Sequence, residues 1–415
     1  MSSTPVSTSL DISSPKLPQA SRLDSIDILR GLVMVIMALD HTRDFFTHLR
    51  FEPENLSRTY YALFFTRWIT HFCAPLFFFL AGTGAFFYGR RRTSGELSRF
   101  LWTRGLWLIL LEFTVIGTGW TFRVPFGFFG VIWALGACMV LMAAAVRLPL
   151  RWLGALSVLM ILTHNLFDSV RPQQFGSLAW LWTLLHVRGF VMLPFKIPEF
   201  VLFQIVPWVG VMGAGYVFGA VFTLEPDRRQ RLIVRLGLCL TLAFVLLRVT
   251  NLYGNPPAGQ GGVSQGDWHI QPTAEKTVIL FLDVEKYPPS LQFLLMTLGP
   301  SLLLLAWLEK RSSDRLATSG LGGALLTFGR VPLFFYVIHL YLIHSMAVIA
   351  ALLFHQPVDW LLHGGFFLNE IPQGYGHNLP FIYLMWMMAV VILYFPCRWW
   401  AGLKQRRKDR WLSYL

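Results

Sequence analysis

Charged residues are scarce in this chain, at 14% of the 415, and acidic ones are scarcer still, with 22 Asp and Glu against 35 Lys and Arg. Soluble domains carry about 25% charged residues, so a soluble multidomain protein is excluded. Cysteine is nearly missing. Cys73, Cys138, Cys239 and Cys397 are scattered without a C-x-x-C spacing, which excludes a disulfide framework or a cysteine zinc site. No H-x-x-x-H spacing occurs, no histidine–carboxylate spacing reads as a ligand set, and no metal is expected. The first residues are rich in Ser, Thr and Pro and lack an apolar core followed by a small-residue cleavage site, so 1–24 reads as a disordered cytoplasmic tail and not as a signal peptide.

What the chain has in abundance is apolar sequence: 55% of residues are hydrophobic. Long runs fall at 26–46, 59–88, 101–121, 127–146, 152–165, 199–223, 232–249, 290–308, 324–354 and 379–397. This is the pattern of an all-α, polytopic membrane bundle of about ten spans occupying 25–397, with a basic cytoplasmic tail at 398–415. The short stretch 277–283 reads as a strand or an interfacial segment. With both termini placed in the cytoplasm, that side holds 22 Lys and Arg against 11 on the other. The positive-inside rule therefore accounts for the net charge of +13, and no nucleic-acid partner is expected. The expected setting is a bilayer, and a homodimer is compatible with it.

The first span, SIDILRGLVMVIMALDHTRDFF, carries ionisable groups where they are expensive, which makes each a functional candidate. At about 100° per residue, Asp27, Arg30 and His41 share one narrow face, with Arg30 and His41 about 16 Å apart along the axis. Such a face describes a site with two ends. His41 suits a general base, oriented by Asp44, which is better placed, or by Asp40. Arg30 needs an anion, either Asp27 one turn earlier or a phosphate entering from the cytosol. His71, in RWITHFCAP, and His339, in GRVPLFFYVIHLYLIH, are weaker candidates; Tyr336 shares the face of His339, and His344 points away. Glu112 is a further intramembrane acid, expected to pair with Arg30 or Arg330. The Pro-rich end of the loop 250–289 would place Lys286 and Tyr287 over the outer mouth.

These residues carry a resemblance. LDSIDILRGLVMVIMALDH resembles the opening of bacterial relatives of heparan-α-glucosaminide N-acetyltransferase and, more widely, of the transmembrane acyltransferases that include the acyltransferase-3 proteins. In that wider group an Arg precedes the catalytic His by eleven residues, as Arg30 precedes His41. The likeness continues through FTRWITHFCAPLFFFLAG, FLWTRGLWLILLEF, KYPPSLQFLLMTLGP and FGRVPLFFYVIHLYLIH to WLSYL. In the lysosomal heparan enzyme the position matching His41 is an Asn, and the active His lies before the second span, where this chain offers His48 and His71. The resemblance implies an acyltransferase of the bacterial inner membrane that takes acetyl-CoA or another acyl-CoA from the cytosol. It would modify a sugar-containing or other extracytoplasmic acceptor, either directly or through an acyl-histidine. On this reading Arg30, Arg90, Arg91, Arg92 and Arg330 hold the CoA phosphates, and Lys286, Tyr287, Tyr336 and His339 contact the acceptor. The alternative from the residues alone is a proton-coupled transporter or flippase built on Asp27, Arg30, Glu112 and His41.

Overall fold

The computed structural model describes residues 24–123, 128–193, 197–258, 263–311, 320–362, 371–407, 409 and 412. The expected tail 1–24, all but Asp24, and the last part of the expected tail 398–415 lie outside the described residues. Among those described, eight helices are long and apolar enough to cross a membrane. Two more complete the expected number of about ten. One is α1 (Asp24–Phe46), 23 residues long and rich in charge; the other is the shorter apolar α4 (Val131–Ala145).

The eight are α2 (Tyr61–Gly89), α3 (Ser94–Thr121), α5 (Leu150–Phe167), α7 (Ile205–Thr223), α8 (Pro226–Thr250), α10 (Leu291–Lys310), α12 (Pro332–Leu353) and α13 (Leu379–Arg406). Shorter pieces lie between them: α6 (Ala179–Leu185), a two-stranded antiparallel ribbon of β1 (Gly189–Leu193) and β2 (Ile197–Val201), α9 (Ala274–Leu282) and α11 (Gly320–Arg330).

Three details differ from the sequence expectation. Residues 277–282 are helical in α9 and not a strand, with Asp283 extended just after it, and the helix is anchored by the Thr273 side chain, which accepts from Lys276 N–H. The expected single span 324–354 is two helices, because Pro332 has no N–H to continue α11 and instead opens α12 at its first turn. The chain does not leave its last helix at 397: α13 runs on to Arg406, and 28 residues at 1.5 Å each, about 42 Å, outreach a hydrocarbon core of about 30 Å.

α1 and α10 lie at the centre. Leu29, Val33, Met34, Met37 and Ala38 are buried against α2, α10, α11, α12 and α13. The α1–α11 crossing is backbone against backbone. A Cβ on Gly31 would sit 1.9 Å from Leu325 O, and one on Gly329 would sit 1.7 Å from Asp27 O, so the contact tolerates glycine alone. Peripheral helices turn apolar side chains outward at helical spacing, among them Leu159 and Leu162 on α5, Leu242 and Leu246 on α8, and Val391 and Phe395 on α13. In a bilayer these faces meet lipid.

Two spans are irregular where they approach the site. In α2 a 3₁₀ turn over Ile69–Phe72 holds His71, and in α3 a π turn over Glu112–Ile116 begins at Glu112. Such interruptions of the α ladder re-aim side chains and recur at functional sites.

Candidate functional site

The four catalytic candidates Asp40, His41, Asp44 and His71 line one cavity of about 720 Å³, and Lys286, Tyr287 and Tyr336 line it with them. His339 stands behind the wall, fully buried. Helix periodicity sets the first group on the last two turns of α1, and the irregular turn of α2 turns His71 toward the same space.

His41 and His339 form a pair. His41 Nδ1 lies 2.7 Å from His339 Nε2, and the rings are stacked at 4.9 Å, 21° from parallel. His339 Nδ1 is 3.1 Å from the Phe335 carbonyl, which can only accept. That fixes the tautomers of two neutral rings: His339 donates from Nδ1 to Phe335, its Nε2 accepts from His41 Nδ1–H, and the lone pair of His41 is left on Nε2. Trp120 packs edge-on against the His41 ring at 4.8 Å. Tyr336, on the His339 face as expected, stands 5.2 Å from that ring, while His344 turns away to the carbonyls of Gly119 and Leu361.

The expected Asp44–His41 contact does not form. Asp44 is taken by Arg43, its neighbour in sequence, and Arg43 Nη2 also lies 3.1 Å from Asp40 Oδ1. Asp40 Oδ2 in turn accepts from Arg67 Nη1 at 2.6 Å, and Arg67 Nε donates to Glu54 Oε1 at 2.9 Å. Glu54 Oε1 is 3.5 Å from His71 Nε2, an ion-pair separation and not a hydrogen bond. Burial alone would raise the Glu54 carboxyl, but the Arg67 guanidinium reverses this and holds it below the usual carboxylate range. The wall beside His41 is thus a chain of three carboxylates and two guanidinium groups. Arg67 and Glu54 escaped the sequence reading. Arg67 carried a signal, a charge inside the apolar run 59–88; Glu54 carried none.

Lys286 and Tyr287 reach the cavity because their loop is pinned from beneath. Arg248, fully buried, donates to the carbonyls of Gly266, Leu280, Phe281 and Asp283. Glu285 accepts from the backbone N–H groups of Val263, Ser264 and Tyr287, and Asp283 accepts from that of Gln265. Burial pushes the Asp283 carboxyl up to about 8, from about 3.9 in an unfolded chain. Between those values the folded protein binds a proton that the unfolded chain does not, so this group's contribution to stability is lost as pH rises toward about 8. Asp283→Asn, which keeps the acceptor without the charge, is therefore expected to gain thermal stability over wild type between about pH 6 and pH 8.5. Parallel unfolding temperatures across that range would show that Asp283 does not titrate there.

The cofactor candidates sit away from this cavity. Arg30 Nη1 donates to Asp27 at 2.8 Å and to Gly329 O at 3.1 Å, so Asp27 is the anion it meets. Arg330 pairs with Asp24 at 3.3 Å, and Arg90, Arg91 and Arg92 are exposed at the end of α2. Neither Arg30 nor Arg330 meets Glu112. That carboxylate accepts from Trp133 N–H at 2.7 Å instead, satisfying a donor that the first turn of α4 leaves open. His48 is outside the cavity, bonded to the His377 carbonyl. His164, Asp168 and His186, which the sequence reading did not single out together, converge at the end of α5.

Comparison with known proteins adds a family. No curated protein matches the chain. A family model described as "Heparan-alpha-glucosaminide N-acetyltransferase, catalytic" matches residues 22–246, more than half of the chain, including Arg30, Asp40, His41, Asp44, Arg67 and His71. By this match, and with its helical membrane architecture, this protein belongs to the membrane acetyltransferase family of heparan-α-glucosaminide N-acetyltransferase.

Proposed function

We propose that the protein moves an acetyl group from cytosolic acetyl-CoA to an amine or hydroxyl of a sugar-containing acceptor that enters the His41 cavity from the other side of the membrane. The observation that carries this reading is the His41–His339 pair at the cavity wall. A neutral imidazole whose Nδ1–H is already committed presents Nε2 as a base. In the reaction, Nε2 takes the proton of the acceptor N–H or O–H as the heteroatom attacks the acetyl carbonyl. The C–S bond then breaks, and the proton is returned to the CoA thiolate. Lys286 supplies positive charge near the carbonyl oxygen, where negative charge develops.

The cavity lining supports a sugar. Trp120, Phe128, Phe190, Phe200 and Tyr287 supply aromatic surface for the apolar side of a pyranose, and Asp44, Glu52, Glu54 and Glu285 offer acceptors for its hydroxyl or ammonium groups. The donor would lie along the α1 face toward Arg30, whose partner Asp27 would exchange for a CoA phosphate, with Arg90, Arg91, Arg92 and Arg330 adding positive charge at that end. The bilayer orientation that this requires is the one favoured by the 22 to 11 division of basic residues.

The test is to reconstitute purified protein in lipid with acetyl-labelled CoA and an amino sugar. Free CoA with label on the sugar is expected. Arg30→Ala should weaken CoA binding and raise KM for the donor, and Arg30→Lys should restore it poorly, because an ammonium cannot form the guanidinium fork. Transport of either compound without CoA release would replace the enzyme by the transporter.

A further inference from the structure

At the end of α5 a second cluster of chemically competent side chains stands outside the His41 cavity. His164 begins a 3₁₀ turn over His164–Phe167, Asp168 follows it, and His186 follows α6. One ligand atom from each lies within 4.8 Å of the other two. His186 Nε2 is 3.2 Å from Asp168 Oδ1, and the two imidazole rings are 5.9 Å apart. His164 is 1% exposed and His186 2%, and both ring nitrogens of His164 lack a hydrogen-bond partner. A buried imidazole left with neither nitrogen satisfied is costly, and the cost is reduced when one of them binds a cation.

The carboxylate is held in place for this. Asn165 Nδ2 donates to Asp168 Oδ2 at 2.8 Å, leaving Oδ1 turned to His186, and Asn165 Oδ1 accepts from Leu291 N–H at the first turn of α10. An outer-shell amide of this kind orients a metal-binding carboxylate. A second cavity of about 580 Å³ opens beside Asp168 and His186. It gives an ion and its water a route in.

We propose that His164, Asp168 and His186 bind one divalent transition-metal ion, zinc being the best match, with a fourth position open to water. Two imidazoles and a carboxylate form a borderline donor set that selects zinc, cobalt or nickel over magnesium and calcium. Tetrahedral zinc with bonds of about 2.1 Å sets its ligand atoms about 3.4 Å apart, so the most widely separated atoms of the trio draw in by up to about 1.4 Å on binding. No hydrogen bond to the His164 ring has to break for that movement. The site joins the end of α5 to the end of α6, two residues before Arg188. Arg188 and Phe190 line both the metal-side cavity and the His41 cavity. The ion is therefore a fastening for the β1–β2 ribbon at the mouth of the active site and takes no part in the chemistry.

The experiment uses full-length protein carrying a non-histidine affinity tag, in lipid nanodiscs, stripped with a chelator and dialysed. Zinc(II) or cobalt(II) alone is then titrated, with metal content by mass spectrometry, cobalt d–d absorption and thermal unfolding as readouts. Wild type should take up one equivalent, show the intense visible bands of four-coordinate cobalt, and unfold at a higher temperature with zinc but not with magnesium. His164→Asn with His186→Asn should lower affinity at least a hundredfold and abolish the zinc-dependent rise. Asp168→Asn, which keeps the Asn165 contact and the volume, serves if the double variant does not fold, and should weaken binding at least tenfold. Equal uptake by wild type and a folded variant, or no uptake by wild type, would overturn the site.

Discussion

His41→Ala is expected to lower acetyl transfer by about 10²- to 10⁴-fold while CoA binding stays within a few-fold of wild type, because a general base contributes to the transition state and little to ground-state affinity. The pairing with His339 makes the expectation sharper than loss of one base. His339→Phe keeps an aromatic ring but removes the acceptor of His41 Nδ1–H, so His41 is free to place its proton on Nε2 and lose the reactive lone pair. Transfer should fall substantially, with no change in donor KM. His339→Gln, whose amide oxygen can accept, should recover part of it. In the His41→Ala background, His339→Phe should do almost nothing further, since the second residue acts through the first. Two losses that simply multiply would mean that the imidazoles work apart. A folded His41→Ala protein with wild-type turnover would remove His41 from the chemistry and leave His71, the other histidine of the cavity, as the base.

How much of this site could be read from the chain follows from what sets each contact. Arg30 and His41 share a face because they lie on one uninterrupted helix, and helical period is local. Their eleven-residue spacing was therefore legible, as was the sharing of a face by Tyr336 and His339. The His41–His339 bond joins residues 298 apart and depends on how α1 meets α12, which no local rule encodes. The same limit hid the Asp40–Arg67–Glu54 chain. Asp44 was misjudged for a different reason: helical angle put it near His41, but the adjacent Arg43 competes for the same carboxylate, and a full opposite charge outbids a neutral ring. Glu112 was matched to distant arginines by charge, whereas the nearer demand was an open N–H at the start of α4. The division of 324–354 at Pro332 was available in the sequence, since proline at the first helical turn marks a start as plainly as it breaks an interior. In the histidine–carboxylate cluster, His164 and Asp168 are four residues apart, a spacing visible in the chain, but His186 joins them only through the turn that α6 makes.

Arg67→Met is expected to be the most destabilising single change at the cavity, because among the described residues Arg67 is the one cation that touches both Asp40 and Glu54. Its side chain is 12% exposed and those of its partners 13% and 8%, so removing it strands the nearly buried Glu54 carboxylate and leaves Asp40 with Arg43 alone, 3.1 Å away. Breaking a buried pair from one side typically costs about 3–5 kcal/mol, and partial exposure moves this case toward the lower figure. The damage should depend on pH in a defined direction. Without the guanidinium, burial raises the Glu54 carboxyl, its folded form prefers the proton, and stability of the variant falls as pH rises above the ordinary carboxylate range. Wild type has the opposite slope from this group, losing its contribution only in acid, as pH falls below the ordinary carboxylate range. Adding Asp40→Asn and Glu54→Gln to Arg67→Met removes the stranded charges and should restore most of the unfolding temperature and flatten its pH dependence. Activity should not return with it if the charged wall tunes the field around His41 and fixes the last turns of α1. Recovery of both stability and turnover in the neutral triple variant would reduce the Arg67 chain to a packing element, and the chemistry would then rest on the histidine pair alone.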